Sequence, residues 1–199
     1  MRWRLGICLI GLLALAGCAI QPPVTEQGRL AAFAIRQARI SKLSNWTLEG
    51  RAAIRTARDS GSVTVHWRQQ GAHYSIGLIA PLGAGSVRLI GDTQRVWLQT
   101  SRGESAVAGS ARDLLNRYTG YDLPVASLHY WLRGILAPGP VQVQELDPKG
   151  RLAFLMQQGW RIRFREYERF SGVELPTALD LQRDQVEVRL VIWHWGFSA

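Results

Sequence analysis

Few side chains in this sequence have the type and spacing that bond-making chemistry requires. A serine nucleophile on a strand-to-helix elbow needs Gly-x-Ser-x-Gly, and the nearest approach, Gly83-Ala84-Gly85-Ser86, is only a glycine-rich turn. The four histidines, His66, His73, His129 and His194, have no neighbours at metal-ligand spacing, and no His-Glu-x-x-His occurs. They read as surface or half-buried strand residues. Carboxylates are scattered rather than paired, and no phosphate-cradling loop precedes a helix. With only Cys8 and Cys18, neither a disulfide framework nor a Cys-based zinc site is available. What stands out is apolar and cationic: eight Trp, and Arg161, Arg163 and Arg165 alternating with Ile162 and Phe164, an exposed basic row backed by an apolar face. The expectation is a protein that is not an enzyme and holds no metal or cofactor.

The remaining reactive candidate is Cys18. Met1-Arg2-Trp3-Arg4 and the apolar run Leu5 to Ala16 form the basic and hydrophobic regions of a secretory signal. The run falls short of the ~20 apolar residues that a permanent membrane helix needs. It ends in Leu15-Ala16-Gly17-Cys18, which resembles a bacterial lipobox. That resemblance implies cleavage before Cys18, a thioether from its sulfur to diacylglycerol, and acylation of its amine. Ala19, rather than Asp, follows the cysteine, which by the same resemblance directs the protein to the outer membrane, lipid-anchored on its periplasmic face. The expected organisation is a cleaved signal over 1–17, a lipidated cysteine and Pro-containing tether over 18–25, and a single domain over 26–199. A chain of 199 residues, 47% apolar and 20% charged, suits one globular domain. The net charge of +9 could serve nucleic acid, but an exported protein does not meet it. A solvated basic face, anionic lipid or an acidic periplasmic partner remain.

The elements that must position these residues fall into two kinds. Glu26 to Lys42 carries Leu30, Phe33, Ile35, Ala38, Ile40 and Leu43 near helical spacing, predicting one amphipathic helix that ends near Ser44-Asn45. The period then becomes two. Trp46 to Ala52 and Ser62 to Arg68 flank the turn signal Arg58-Asp59-Ser60-Gly61, with Val63, Val65 and Trp67 on one face. Strands follow around Ile76, Leu89 and Leu98. Two helices are expected from Ser110 to Tyr118 and from Val125 to Leu136. Strands resume at Val141–Leu146, Arg151–Gln157, Trp160–Glu166, Ala178–Leu181 and Val186–Trp195. About eleven strands and three helices make an α+β protein, and a single long, curved antiparallel sheet is the economical arrangement.

Two signals bear on function. Seven Trp lie beyond the signal, at 46, 67, 97, 131, 160, 193 and 195. Either they fill an ordinary sheet–helix core, or they line a concave interior left partly open for a flexible hydrocarbon chain. The turn Ala80-Pro81-Leu82-Gly83-Ala84-Gly85 places a large apolar side chain at a surface tip, unless Leu82 folds back over the mouth of the sheet.

An ordered set of motifs resembles the outer-membrane lipoprotein insertion receptor LolB family. It comprises the lipobox, Trp46-x-Leu48-x-Gly50-Arg51, Pro81-Leu82-Gly83, Leu123-Pro124-Val125, Tyr130-Trp131-Leu132-Arg133-Gly134, Gly150-Arg151-Leu152 and Gln158-Gly159-Trp160. The resemblance implies an open, incomplete β-barrel covered by helices around a hydrophobic cavity. It implies a monomer that accepts acylated lipoprotein cargo from a periplasmic LolA-like carrier and inserts it into the outer membrane, without ATP or cofactor. Pro81, Leu82 and Gly83 match the family's membrane-insertion loop. Trp46, Trp67, Ile76, Leu78, Trp97, Trp131 and Trp160 are the expected cavity residues. The alternative is a lipid-binding or scaffold lipoprotein of the envelope with no transfer activity.

Overall fold

A computed structural model describes residues 25–57 and 59–198. The signal, the lipobox with Cys18 and most of the tether lie outside the described residues. The domain opens with helix α1 (Glu26–Ser41), whose first turn is capped by Thr25 Oγ1, 3.1 Å from the Gly28 amide that donates to it. Six strands follow: β1 (Asn45–Arg55), β2 (Ser60–Gln70), β3 (His73–Ile79), β4 (Ser86–Gly91), β5 (Val96–Thr100) and β6 (Ser105–Ala108). Helices α2 (Ala111–Thr119) and α3 (Val125–Trp131) connect to β7 (Val141–Leu146), β8 (Leu152–Gln157), β9 (Trp160–Phe170), β10 (Val173–Arg183) and β11 (Val186–Phe197).

All eleven strands form one sheet in the order β6-β5-β4-β3-β2-β1-β11-β10-β9-β8-β7. Each half is an antiparallel meander, and the halves join where β1 pairs with β11. The edges β6 and β7 do not pair with each other, so the curved sheet is an unclosed barrel. The α2–α3 segment carries the chain from one edge to the other. Strict alternation along β1 buries Trp46, Leu48, Gly50, Ala52 and Ile54 on the inner face and leaves Arg51, Ala53 and Arg55 outside. Gly50 has to be glycine: a Cβ there would stand 2.5 Å from the Val191 carbonyl oxygen, at the bulge that kinks β1 against β11.

The expected elements differ from the observed ones in four places. Ser105–Ala108 forms a strand that its short, small residues do not announce. The β9–β10 hairpin runs on to Phe170 and back from Val173, with Pro176 inside a central strand. A register shift beside Pro176 absorbs its missing N–H, and its carbonyl accepts from Trp195 Nε1 at 3.0 Å. The helix expected to reach Leu136 stops at Trp131, because the chain turns through Gly134 at φ +71°. Helix α1 buries a narrower stripe than its apolar pattern indicates: Phe33 and Ile40 are buried, whereas Leu30 and Ile35 face solvent.

The early stop of α3 places Arg133 inside the protein, 3% exposed. Its Nε donates to the His129 carbonyl at 2.9 Å, and Nη1 donates to the carbonyls of Ile40 and Leu43 at 3.2 and 3.1 Å. The guanidinium lies 5.7 Å from the centroids of both Trp46 and Tyr130. It therefore ties the carbonyl end of α1 to α3 and to the first tryptophan of β1, where helix-end carbonyls favour a cation. Burial lowers its pKa to about 10, still charged at neutral pH. His129 sits on α3 rather than on a strand, packed on Trp46 with ring centroids 5.6 Å apart. Burial, and then the neighbouring Arg133, lower its pKa to about 4.

Two predictions follow from this joint. Arg133→Met strands the Leu43 carbonyl, while the Ile40 carbonyl keeps the Leu43 amide at 3.0 Å, and should lower stability by about 1–3 kcal/mol, a drop of roughly 3–10 °C in thermal midpoint. A wild-type midpoint would remove the joint from the fold's essential contacts. His129 in the unfolded chain takes up a proton near its ordinary pKa of 6.5, whereas the folded site refuses it until about pH 4. Its contribution is thus intact above pH 6.5 and lost as pH falls through that window. Urea titrations at pH 7, 5 and 4 should show a shallower decline in His129→Phe than in the wild type.

Candidate functional site: an apolar cavity and an exposed loop

Inward side chains of β1, β2, β3, β10 and β11, with Trp160 of β9, form a floor. Above it, α2 and α3 and their connection present Leu115, Leu123, Val125, Leu128 and Leu132. Between floor and cover lies a cavity of about 70 Å³, and all sixteen residues lining it are apolar. Nothing there can hold a water in place by hydrogen bonds except the indole N–H groups. One of those, Trp67 Nε1, already donates to Gln69 Oε1 at 3.0 Å, while Trp160 Nε1 has no partner. One water needs roughly 10–15 Å³ of such space, so the cavity has room for a short stretch of hydrocarbon and not for a whole acyl chain.

A much larger groove, about 650 Å³, adjoins it. Tyr74, Val96 and the turns at Gly71 and Asp92 form one wall, and Pro124, His129 and Tyr130 the other. Trp67 and Val125 line both spaces, so the wall between groove and cavity is about one side chain thick. Desolvation holds the Tyr74 phenol up at about 12, keeping it neutral at the groove wall.

The cover is fastened at its margins by polar contacts. Asp122, between α2 and α3, accepts from Arg112 Nη2 at 2.7 Å and pairs with Arg183 at the end of β10. The hydrogen bond from Arg112, with Arg183 adding to it, holds the Asp122 carboxyl below its ordinary pKa. Ser127 Oγ donates to Gln158 Oε1 at 2.6 Å, and Trp131 Nε1 donates to the fully buried Gln157 Oε1 at 2.9 Å. Beneath these ties the cover meets the sheet only through side chains such as Leu115 and Leu128, a contact without direction.

The second feature is the β3–β4 loop. Pro81–Gly83 is a single 3₁₀ turn closed by the Ala84 amide donating to the Pro81 carbonyl at 3.1 Å; the Ala80 amide donates to the Gly85 carbonyl at 2.9 Å across the loop, and Ser101 Oγ accepts from the Ser86 amide at 3.0 Å. Leu82 at its tip has φ +54° and ψ +27° and is fully exposed. A left-handed conformation costs a non-glycine residue about 1–2 kcal/mol, and here no buried contact offsets it. Among the described residues three other non-glycine residues have positive φ, namely Gln158, Ser171 and Asp184, and all three are polar.

Of the residues expected at the cavity, Trp67, Ile76, Leu78 and Trp160 line it. Trp46 and Trp131 are buried elsewhere. Trp46 packs on Trp67 and Trp195, with both centroid distances 5.5 Å, and Trp131 is pinned to Gln157. Trp97 corrects the expectation: Val96 and Leu98 point inward, so Trp97 points outward and is 51% exposed. Leu82 projects into solvent and does not fold back over the mouth. Ala52, Ile54, Val63, Val188 and Leu190 line the cavity unforeseen, although the alternation of their strands placed them on the inner face. Of the Arg161, Arg163 and Arg165 row, Arg165 pairs with Asp180, and Arg163 lies 6.0 Å from the Phe154 ring centroid.

Among the described residues no helix is long and apolar enough to cross a membrane. A LolA superfamily protein from Nitrosomonas europaea superposes with a TM-score of 0.50 at 10% identity, covering 88% of this chain and 94% of that one. A DUF1329 family protein from Desulfovibrio piger gives 0.55 at 10% identity, covering 89% and 94%. These likenesses establish a shared fold. An outer-membrane lipoprotein LolB from Alkalilimnicola ehrlichii is 42% identical over 198 residues, 99% of this chain and 98% of that protein. The family model described as "Outer membrane lipoprotein LolB" matches residues 44–195. On that match and that identity, the chain belongs to the outer-membrane lipoprotein LolB family.

Proposed function

We propose that the protein accepts the acyl chains of lipoproteins from a periplasmic carrier of LolA type and delivers them to the inner leaflet of the outer membrane. The observation that carries this reading is the dry apolar cavity, separated by Trp67 and Val125 from a groove nearly ten times larger and roofed by a segment whose directional ties sit at its margins. A triacylated cargo hides on the order of forty CH₂ groups, each worth ~0.8 kcal/mol, so its chains cannot cross water unassisted. Entry through the groove requires α2–α3 to lift and Trp67 to turn, which merges groove and cavity into one channel. Transfer then makes and breaks no covalent bond and follows the difference in affinity between carrier, receptor and bilayer, with neither ATP nor a cofactor.

In this reading residues 1–17 are removed, Cys18 is lipidated, and residues 18–25 tether the domain to the periplasmic face of the outer membrane. Leu82 acts at the last step. Its exposed, backbone-strained side chain enters the headgroup region and gives the departing chains an apolar contact on the membrane side.

Ala52→Leu fills the cavity from the β1 side. It should leave the protein folded, since overpacking costs about 1–3 kcal/mol, and reduce uptake of lipoprotein from a loaded carrier by about tenfold. Uptake at the wild-type rate would mean that the cavity is not the acyl site. Leu82→Glu should accept cargo normally but slow its insertion into vesicles by about tenfold. Insertion at the wild-type rate would end the role given to the loop. A scaffold that merely held lipid would take up cargo and pass none on.

A further inference from the structure

Five of the large apolar side chains left exposed lie on one outer region of the sheet: Ile79, Leu82, Ile90, Trp97 and Val107. The strand register aligns them. Ile90 stands opposite Trp97, and Trp97 opposite Val107, giving a cross-strand apolar row over β4, β5 and β6. The next outward row is Gly77, Arg88, Gln99 and Ser105. Ile79 follows, and then the Leu82 loop. Arg95 places its guanidinium 5.8 Å from the Trp97 ring centroid. No outward position of β2–β6 carries a carboxylate, and Arg68 and Arg88 form no salt bridge among the described residues. The other half of the sheet differs at Asp180, which pairs with Arg165 and Arg189, while Arg161 and Arg163 there form no salt bridge among the described residues.

We propose that the outward face of β3–β6 is a docking surface for an anionic lipid bilayer, against which these strands lie with Trp97 at headgroup depth. Half-exposed Trp beside Arg is the pairing that suits a membrane interface, where the ring is apolar and its edge wet. Unpaired arginines with flanking apolar neighbours can lay their stems on the surface and reach phosphates with their heads. Topology adds a geometric reason. Leu82 lies at the end of the sheet where β3 ends, whereas α1 lies across the opposite end: a Cβ on Gly150 in the β7–β8 turn would touch Ala32, and Arg39 reaches the Gly172 carbonyl in the β9–β10 turn. A face running between the two ends lets the chain entering through α1 and the loop at the far end touch one bilayer together. The strands β3–β5 provide such a face.

The proposal concerns a surface distinct from the cavity, and its test separates the two. Full chain carrying Val107→Cys, labelled with an environment-sensitive fluorophore, is reconstituted in phosphatidylethanolamine vesicles with and without phosphatidylglycerol. Label taken up by the parent chain is subtracted. Trp193→Cys, on the outer face of β11, is the control. Quenching by spin-labelled lipid should be several-fold stronger at position 107 than at 193, should require phosphatidylglycerol, and should fall about tenfold in Arg88→Glu/Arg95→Glu. Equal quenching at both positions overturns the proposal, as does quenching indifferent to lipid charge. Energy transfer between labelled copies without lipid quenching also overturns it and assigns the face to a second copy. Cargo transfer is followed in the same vesicles. Normal transfer with no quenching at 107 defeats the docking face alone, whereas quenching without transfer defeats the function proposed above.

Discussion

An eleven-stranded sheet that does not close has an inner face larger than its helices can cover, and the rest of this structure follows from that mismatch. A closed barrel of fewer strands fills its interior with its own side chains. Here β6 and β7 stay apart, and the chain crosses between them on helices of only nine and seven residues. The inner face is nonetheless apolar almost throughout, so it gains by contracting around whatever cover is available. The result is a compromise: a continuous buried core with one remaining dry cavity under the cover, beside an open groove.

The polar contacts decide which parts of that compromise are fixed. Arg133 fastens α1 to α3 through three carbonyls, and Gln157, at the end of β8, binds Trp131, Ala137 and Gly139. Both side chains are buried, so breaking these bonds means leaving polar groups unmet in an apolar setting. Asp122, by contrast, meets its arginines at a partly exposed margin, where solvent can take over its hydrogen bonds. In the function proposed above, the carboxyl end of α3 serves as the hinge side, and α2 with the α2–α3 connection as the side that lifts. Trp67, between groove and cavity, lies under that movable side.

Much of this was legible in the sequence, because alternation and helical spacing report which face a residue occupies. Helical spacing misled at Leu30 and Ile35, which α1 leaves in solvent, whereas alternation through Leu98 leaves Trp97 on the outer face, whatever its hydrophobicity. The end of α3 was harder to see, since Leu132 and Ile135 continue the helical pattern. What breaks it is Gly134, whose left-handed φ of +71° turns the chain and lets Arg133 pack against α1. Pro176 in a central strand likewise argued against a strand until the neighbouring register shift accommodated it. Cavity volume lies beyond any such reading, because it is the small difference between the space an unclosed sheet encloses and the volume of the side chains that enter it. The exposure of Leu82 was left open by the sequence for a similar reason: a loop of this composition can turn either way, and its direction is set by hydrogen bonds to Ser101 and within the turn itself.

A cavity too small for the cargo it is proposed to hold bears on direction rather than against function. Lifting the cover exposes apolar surface and parts the Asp122 contacts, and the bound state must offset both. Acyl chains therefore bind more weakly here than the same inner face would bind them if it were held permanently open, by the free energy of opening. The bilayer exacts no such penalty. When the chains leave, the cover closes and recovers the apolar contacts it gave up, so the resting packing itself favours release. A wider, rigid cavity would grip the chains more tightly and retain them. The contracted interior, rather than any chemical energy source, makes the final step run towards the membrane.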